Sequence, residues 1–134
     1  MKIVLDDGAK VSRAHPWDGG LDLYSRDFRF IKSNGTWTFD TGVHVEIPEG
    51  YVGLIRTRSS MMREGIYTDG TIDAHYTGSI KVQLCNRSAH RYHVQAGDRI
   101  AQLVIAPVYT PGFEEVTALE DTQRGSGGFG STGK

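Results

Sequence analysis

Apolar and polar residues alternate along much of this chain with a period of two. In Val43-His44-Val45-Glu46-Ile47 three aliphatic side chains fall on one face of an extended segment, with His44 and Glu46 on the other. Pro48-Glu49-Gly50 follows as a turn, because Pro presets φ and Gly tolerates positive φ. A second strand is predicted from Tyr51 to Thr57. Ile80, Val82 and Leu84 alternate with Lys81 and Gln83, and Asn86-Arg87-Ser88 opens the next turn. Gly97-Asp98 then turns the chain into an apolar strand from Ile100 to Val108. Only the stretch from Ser59 to Glu64 suits a helical turn, and no segment of ten residues or more has a 3.6-residue period. Short strands divided by turn signals predict an all-β sandwich or barrel.

The 134 residues make one domain, long enough to bury a core and small enough to gain stability from oligomerisation. Composition changes only at the end, in RGSGGFGSTGK, which divides a body (1–123) from a Gly-rich arm (124–134). Fifteen Lys and Arg against sixteen Asp and Glu give a net charge of −1. No overall field therefore draws the protein to nucleic acid or to an anionic membrane, although a local basic site stays open. Cys85 is the only cysteine, which rules out an internal disulfide, and IKVQLCN predicts that it is a buried strand residue. The N-terminal MKIVLDDGAK breaks its apolar run with two Asp, so it reads as neither signal peptide nor membrane span, and a cytoplasmic protein is expected.

Histidines at 15, 44, 75, 90 and 93 lack zinc-site spacing, and His90 and His93 are expected to be solvated in a polar hairpin connection. The carboxylates carry more. Asp22 follows Gly19-Gly20, a pair that lets the backbone turn closely, and Asp73 closes Gly70-Thr71-Ile72-Asp73 just before His75, Tyr76 and Gly78. Each caps a turn or, if buried, needs partners. Arg58-Ser59-Ser60 offers a guanidinium, two hydroxyls and backbone N–H groups, a set suited to phosphate or carboxylate. Gln102 interrupts an apolar strand and needs a hydrogen-bond partner from the protein or from a ligand. In the arm, Arg124 repeats the anion chemistry, Ser131 and Thr132 add hydroxyls, and Phe129 is the one ring able to stack. A Gly/Ser tail reads by default as a linker, and the same composition suits a segment that orders on binding.

Taken in order, GGLDL (19–23), TRSS (57–60), GTIDAHYTG (70–78), GDRIAQL (97–103) and RGSGGFGSTG (124–133) resemble the trimeric dUTPase family, and together they span nearly the whole chain. The resemblance implies an all-β, jelly-roll-like subunit in a homotrimer whose C-terminal arm is exchanged between subunits to close the active site. It implies hydrolysis of dUTP to dUMP and pyrophosphate by attack of water on the α-phosphorus, with Mg²⁺ as cofactor.

On the same basis Asp73 deprotonates the water, and Arg58, Ser59, Ser60, Gln102, Arg124, Ser131 and Thr132 bind phosphates. Thr71, Ile72, Asp73 and Tyr76 form the nucleoside side with Lys81, Phe129 and Gly130; Tyr76 excludes a 2′-hydroxyl and Phe129 stacks on uracil. Asp22 orients a water bound to Mg²⁺, and Asp98 pairs with an arginine to shape the site. Two departures from the family pattern stand out: Thr57 replaces a usual Pro, and the hairpin from Gly65 to Asp73 is short. The rival readings are a dCTP deaminase of the same fold and a nucleotide-sensing protein with a regulatory partner.

Overall fold

The computed structural model describes residues 1–133. Its elements, in chain order, are β1 (Ile3–Leu5), β2 (Val11–Ser12), β3 (Gly20–Tyr24), β4 (Arg29–Ile31), β5 (Thr36–Asp40), β6 (Val43–Val45), β7 (Tyr51–Arg56), α1 (Ser59–Arg63), β8 (Ile66–Tyr67), β9 (Asp69–Ile72), β10 (Lys81–Asn86), β11 (Tyr92–Val94) and β12 (Arg99–Pro107). The fold is all-β, as the alternation predicts, and the one short helix falls where the helical turn is expected. The largest sheet runs β2-β3-β12-β7-β9; β5-β10-β8, β1-β6 and β11-β4 make three smaller ones. Ile80, Val82, Leu84, Ile55, Leu103, Val43 and Val45 point into one core with Phe39 and Leu23.

Three local readings change. The expected hairpin from Gly65 to Asp73 is a crossing between sheets, because β8 pairs with β10 whereas β9 pairs with β7. His93 lies in β11 rather than in a connection, with its ring 4.8 Å from that of Phe28 and 4.7 Å from that of Phe30. Cys85 is half-buried in β10, not fully enclosed.

After β12 the chain leaves the body. Tyr109, Phe113 and Leu119 are almost fully exposed, and Val116 about half. The chain's accessible surface of 9726 Å² exceeds by about 2,700 Å² what a compact protein of 14.8 kDa presents. Exposed apolar side chains gathered on one segment mark a surface suited to meeting another.

The β1–β6 pair is tied to the loop after β9 through His44. The His44 Nδ1 lies 2.8 Å from the Thr77 carbonyl and its Nε2 lies 3.2 Å from Asp6 Oδ1. Both partners are acceptors, so only the imidazolium donates to both at once. The Thr77 and Asp6 hydrogen bonds accordingly raise the His44 pKa above the usual 6.5. This stabilisation is present in full below 6.5 and is lost as pH rises through the higher folded value. We expect NMR titration of the His44 ring to give a midpoint above that of the unfolded chain, lowered in Asp6→Asn; an unshifted midpoint would contradict the bridge.

Gly53 shows how tightly the main sheet packs. A Cβ at this position would stand 2.8 Å from Ile47 Cδ1, 3.0 Å from Leu103 Cδ1 and 3.1 Å from Ile72 Cβ. Gly53→Ala is expected to destabilise the protein by about 1–3 kcal/mol, the usual cost of overpacking, measured by urea unfolding.

Candidate active site

Two groups of side chains stand out, and β7 lies between them. The first is built on the central strands. Gln102 of β12 stands opposite Asp22 of β3 on one side and Arg56 of β7 on the other. Gly20 leaves space for this side chain: a Cβ there would stand 2.9 Å from Gln102 Oε1 and 3.1 Å from its Cβ, so the Gln102 side chain would have to move. The glycine thus makes room for a side chain within a strand rather than turning the backbone. Gln102 is half-buried and its amide makes no hydrogen bond among the described residues, leaving its donors and acceptor for another molecule.

Asp22 is the electrostatic centre of this group. Its side chain is only 11% exposed, with Arg58 Nε 3.4 Å from Oδ1 and Arg99 Nη1 3.4 Å from Oδ2. A carboxylate this enclosed needs cationic partners, and two guanidinium groups supply them. Arg58 also donates from Nη1 to the Arg99 carbonyl at 3.5 Å. Its position is set from the preceding residue. Thr57 Oγ1 donates to the Thr68 carbonyl at 2.7 Å and accepts from the Thr68 N–H at 2.9 Å, which fixes the end of β7 to the point where the chain crosses between sheets.

Ser59 and Ser60 begin α1 and are exposed. Arg58, Ser60, Asp98 and Arg99 line a polar cavity of about 420 Å³. Among the described residues of the single chain Asp98 pairs with no arginine. Its carboxylate accepts the Gln95 N–H at 2.8 Å and closes the turn before β12, while Asp22 takes the arginines instead.

The second group surrounds a cavity of about 260 Å³ lined by Thr71, Ile72, Asp73, Tyr76 and Lys81. These are five of the residues assigned above to the nucleoside side. Asp73 leaves β9 with an exposed carboxylate, and its carbonyl accepts the Tyr76 N–H at 3.2 Å, which turns the chain back on itself. His75, inside this turn, has φ of 68°, a left-handed conformation uncommon outside glycine. The Tyr76 hydroxyl donates to the Ser79 carbonyl at 3.1 Å, and its ring lies over Gly78, where a Cβ would come within 2.6 Å of Cζ.

The two groups do not meet within one chain. Ile72 pairs with Gly53 near the start of β7, whereas Arg58 follows its end. At the strand rise of about 3.3 Å per residue this separates Asp73 from Arg58 by roughly 15–20 Å.

The arm joins neither group. Phe129 is fully exposed, Arg124 donates from Nε to the Gly127 carbonyl at 3.0 Å, and successive turns are closed by Ser131 N–H to the Gly128 carbonyl and Gly133 N–H to the Gly130 carbonyl. Thr132 and Gly130 are exposed as well.

Among the described residues no three His, Cys, Asp or Glu side chains converge as a metal cage. Asp22 already faces two guanidinium groups, so the chain's own donors fit a divalent ion only through water and with substrate oxygens completing the shell. Sequence reasoning did not reach the Asp22–Arg99 pair or the Thr57 anchor. The one trace of the former is Ile100-Ala101 directly after Arg99, and it is masked in a strand that is apolar at most positions.

Comparison with known proteins bears on the whole chain. The sequence model of the dUTPase family matches residues 6–133. The deoxyuridine 5′-triphosphate nucleotidohydrolase of Clostridium tetani is 39% identical over all of this chain and 95% of its own length. That of Corynebacterium glutamicum is 45% identical over 91% of this chain and 85% of its own. Among solved structures, the Staphylococcus bacteriophage 80alpha dUTPase with dUpNHpp superposes with a TM-score of 0.92 at 30% identity, covering 99% of this chain and 98% of that one. A mutant of the phage phi11 dUTPase, described as coordinating a structural Mg(II) ion, has a TM-score of 0.81 at 27% identity, over 90% of this chain and 98% of that one. The protein belongs to the dUTPase family and is an enzyme of the dUTP nucleotidohydrolase class.

Proposed function

We propose that this enzyme hydrolyses dUTP at sites completed between the subunits of a homotrimer. The observation that supports this most directly is the length of β7. One triphosphate must meet both the base that activates water and the cations that hold its phosphates, yet Asp73 and Arg58 of one chain lie at opposite ends of the strand. The Asp73 cavity of one subunit would therefore face the Arg58–Gln102 surface of the next, with the arm of a third closing over both. The surplus exposed surface and the apolar side chains of residues 108 to 119 supply the area that such an exchange buries.

In this reading Thr71, Ile72 and Lys81 surround the nucleoside, and Tyr76 lies against the deoxyribose. The Asp73 carboxylate accepts a proton from water as its oxygen attacks the α-phosphorus. The bond from that phosphorus to the bridging oxygen of the β-phosphate breaks, and pyrophosphate leaves with the electron pair. Arg58, Ser59, Ser60 and Gln102 hold the phosphates, and donors already positioned stabilise the charge that develops. Mg²⁺ carried by the triphosphate would neutralise part of that charge, with Asp22 touching it through water. Arg124, Ser131 and Thr132 clamp the terminal phosphates, and Phe129 stacks on the base as the arm excludes water.

The reaction limits uracil in DNA and supplies dUMP for thymidylate synthesis, a role suited to the cytoplasm; among the described residues no helix is long and apolar enough to cross a membrane.

Incubation of the purified protein with Mg²⁺ and, separately, dUTP, dTTP, dCTP and UTP tests the reading. Selective formation of dUMP and pyrophosphate from dUTP is expected. Conversion of dCTP to a uracil nucleotide would point to the deaminase instead, and binding without turnover to a nucleotide sensor. Asp73→Asn should lower kcat by about 10²–10⁴, the contribution of a positioned general base, while nucleotide affinity is kept. Near-normal turnover in this variant would remove Asp73 from the mechanism.

A further inference from the structure

We propose that Arg99 is an additional phosphate-binding residue, aligned by Asp22 to act with Arg58 on the pyrophosphate portion of the substrate. The proposal rests on the dUTP-hydrolysis reading above. It begins from an irregularity in β12. Gln102 pairs with Asp22 and Ala101 with Leu23, yet Tyr24 faces Arg99, so two residues of β12 pass against one of β3. This β-bulge explains why Ile100 and Ala101 are both buried although they are consecutive. In an unbroken strand with Gln102 facing outward, Ala101 would face the core, Ile100 outward and Arg99 the core. The bulge reverses the last two assignments and places Arg99 on the same face as Gln102. Re-aiming a side chain is what such bulges do beside functional sites.

The charges around Arg99 indicate what it is aimed at. Asp22 is shared by two guanidinium groups, so this triad carries one uncompensated positive charge. Arg99 spends only Nη1 on Asp22; its Nε and Nη2 meet no acceptor among the described residues, and 47% of the side chain is exposed. Arg58 and Arg99 line the same polar cavity with Ser60. Of the acidic groups on that cavity, Asp98 is occupied by the Gln95 N–H, and Glu64 lies exposed just beyond the end of α1. Two planar donor forks held by one carboxylate match a diphosphate anion, whose oxygens accept paired N–H bonds from each.

Inorganic pyrophosphate is the direct probe, titrated calorimetrically into the full-length protein. Arg99→Gln should bind it about ten- to a hundredfold more weakly, the factor associated with a hydrogen bond to a charged group. KM for dUTP should rise more than kcat falls, because the contact is made in the ground state as well. Arg99→Lys, which keeps a cationic partner for Asp22, should lie between the two. Lys2→Gln removes one positive charge beside Glu46 at a cavity that shares no residue with this one, and should resemble the parent.

Equal pyrophosphate affinity in the parent and Arg99→Gln would overturn the proposal, as would an equal loss in Lys2→Gln, which would show a general charge effect. Should Arg99→Gln fail to fold, the Lys variant decides by the same comparison: full pyrophosphate affinity in it overturns the guanidinium contact. A parent that binds pyrophosphate through Arg99 but leaves dUTP intact would contradict the hydrolase reading while leaving this one standing.

Discussion

The length of one strand governs the organisation of this protein. β7 carries the Arg58 segment beyond one end and pairs near its other end with the strand that leads into Asp73. A hydrogen-bonded strand cannot shorten, so one chain keeps the Asp73 and Arg58 groups at opposite ends of it. Under the proposed hydrolysis, association of subunits would serve the chemistry as well as stability. The same account explains why the chain tolerates an arm with exposed Phe113 and Leu119, which on an isolated monomer would be a liability.

Within the group around Gln102, the organising element is a buried carboxylate rather than a cation. Asp22 would be costly in isolation, and Arg58 and Arg99 would repel one another without it. Asp22 holds the two guanidinium groups side by side, and donors positioned in advance are the effective ones. Neighbouring details serve the same end. Gly20 gives Gln102 its space, Thr57 ties the Arg58 segment to Thr68, and the bulge in β12 turns Arg99 outward. On the nucleoside half, Gly78 permits the Tyr76 ring to lie close to the backbone, and His44 holds the loop through the Thr77 carbonyl.

Much of the fold was legible where burial is one-sided. The segments around 43–47 and 80–84 alternate because one face meets the core, and they supply β6 and most of β10, whereas β7 and β12 were marked by apolar runs between turn signals. β1 and β5 gave no such signal, since nearly all of their residues are at least partly exposed in the single chain. The five motifs picked out residues that the fold gathers around two cavities, but not the partners of those residues. Asp22 and Arg99 are 77 residues apart, and their contact depends on a bulge that shifts register; only the Ile100-Ala101 pair hints at it. For Asp98 the resemblance implied a pair with an arginine, whereas in the single chain the turn's own N–H group claims the carboxylate. The crossing of residues 66–72 between two sheets was hidden for a similar reason, because strand partners are chosen by tertiary packing and not by local pattern.

The most direct test of the shared site is complementation between two inactive chains. Asp73→Asn and Arg58→Gln would each be prepared alone, then unfolded and refolded together in equal amounts, and dUTP turnover measured. If each site takes Asp73 from one subunit and Arg58 from another, the mixture should recover about a quarter of the parent's activity, as random assortment of two chain types across each interface gives. A mixture as inactive as its components, in an assembly shown to contain both chains, would place Asp73 and Arg58 in the same subunit's site and contradict the account.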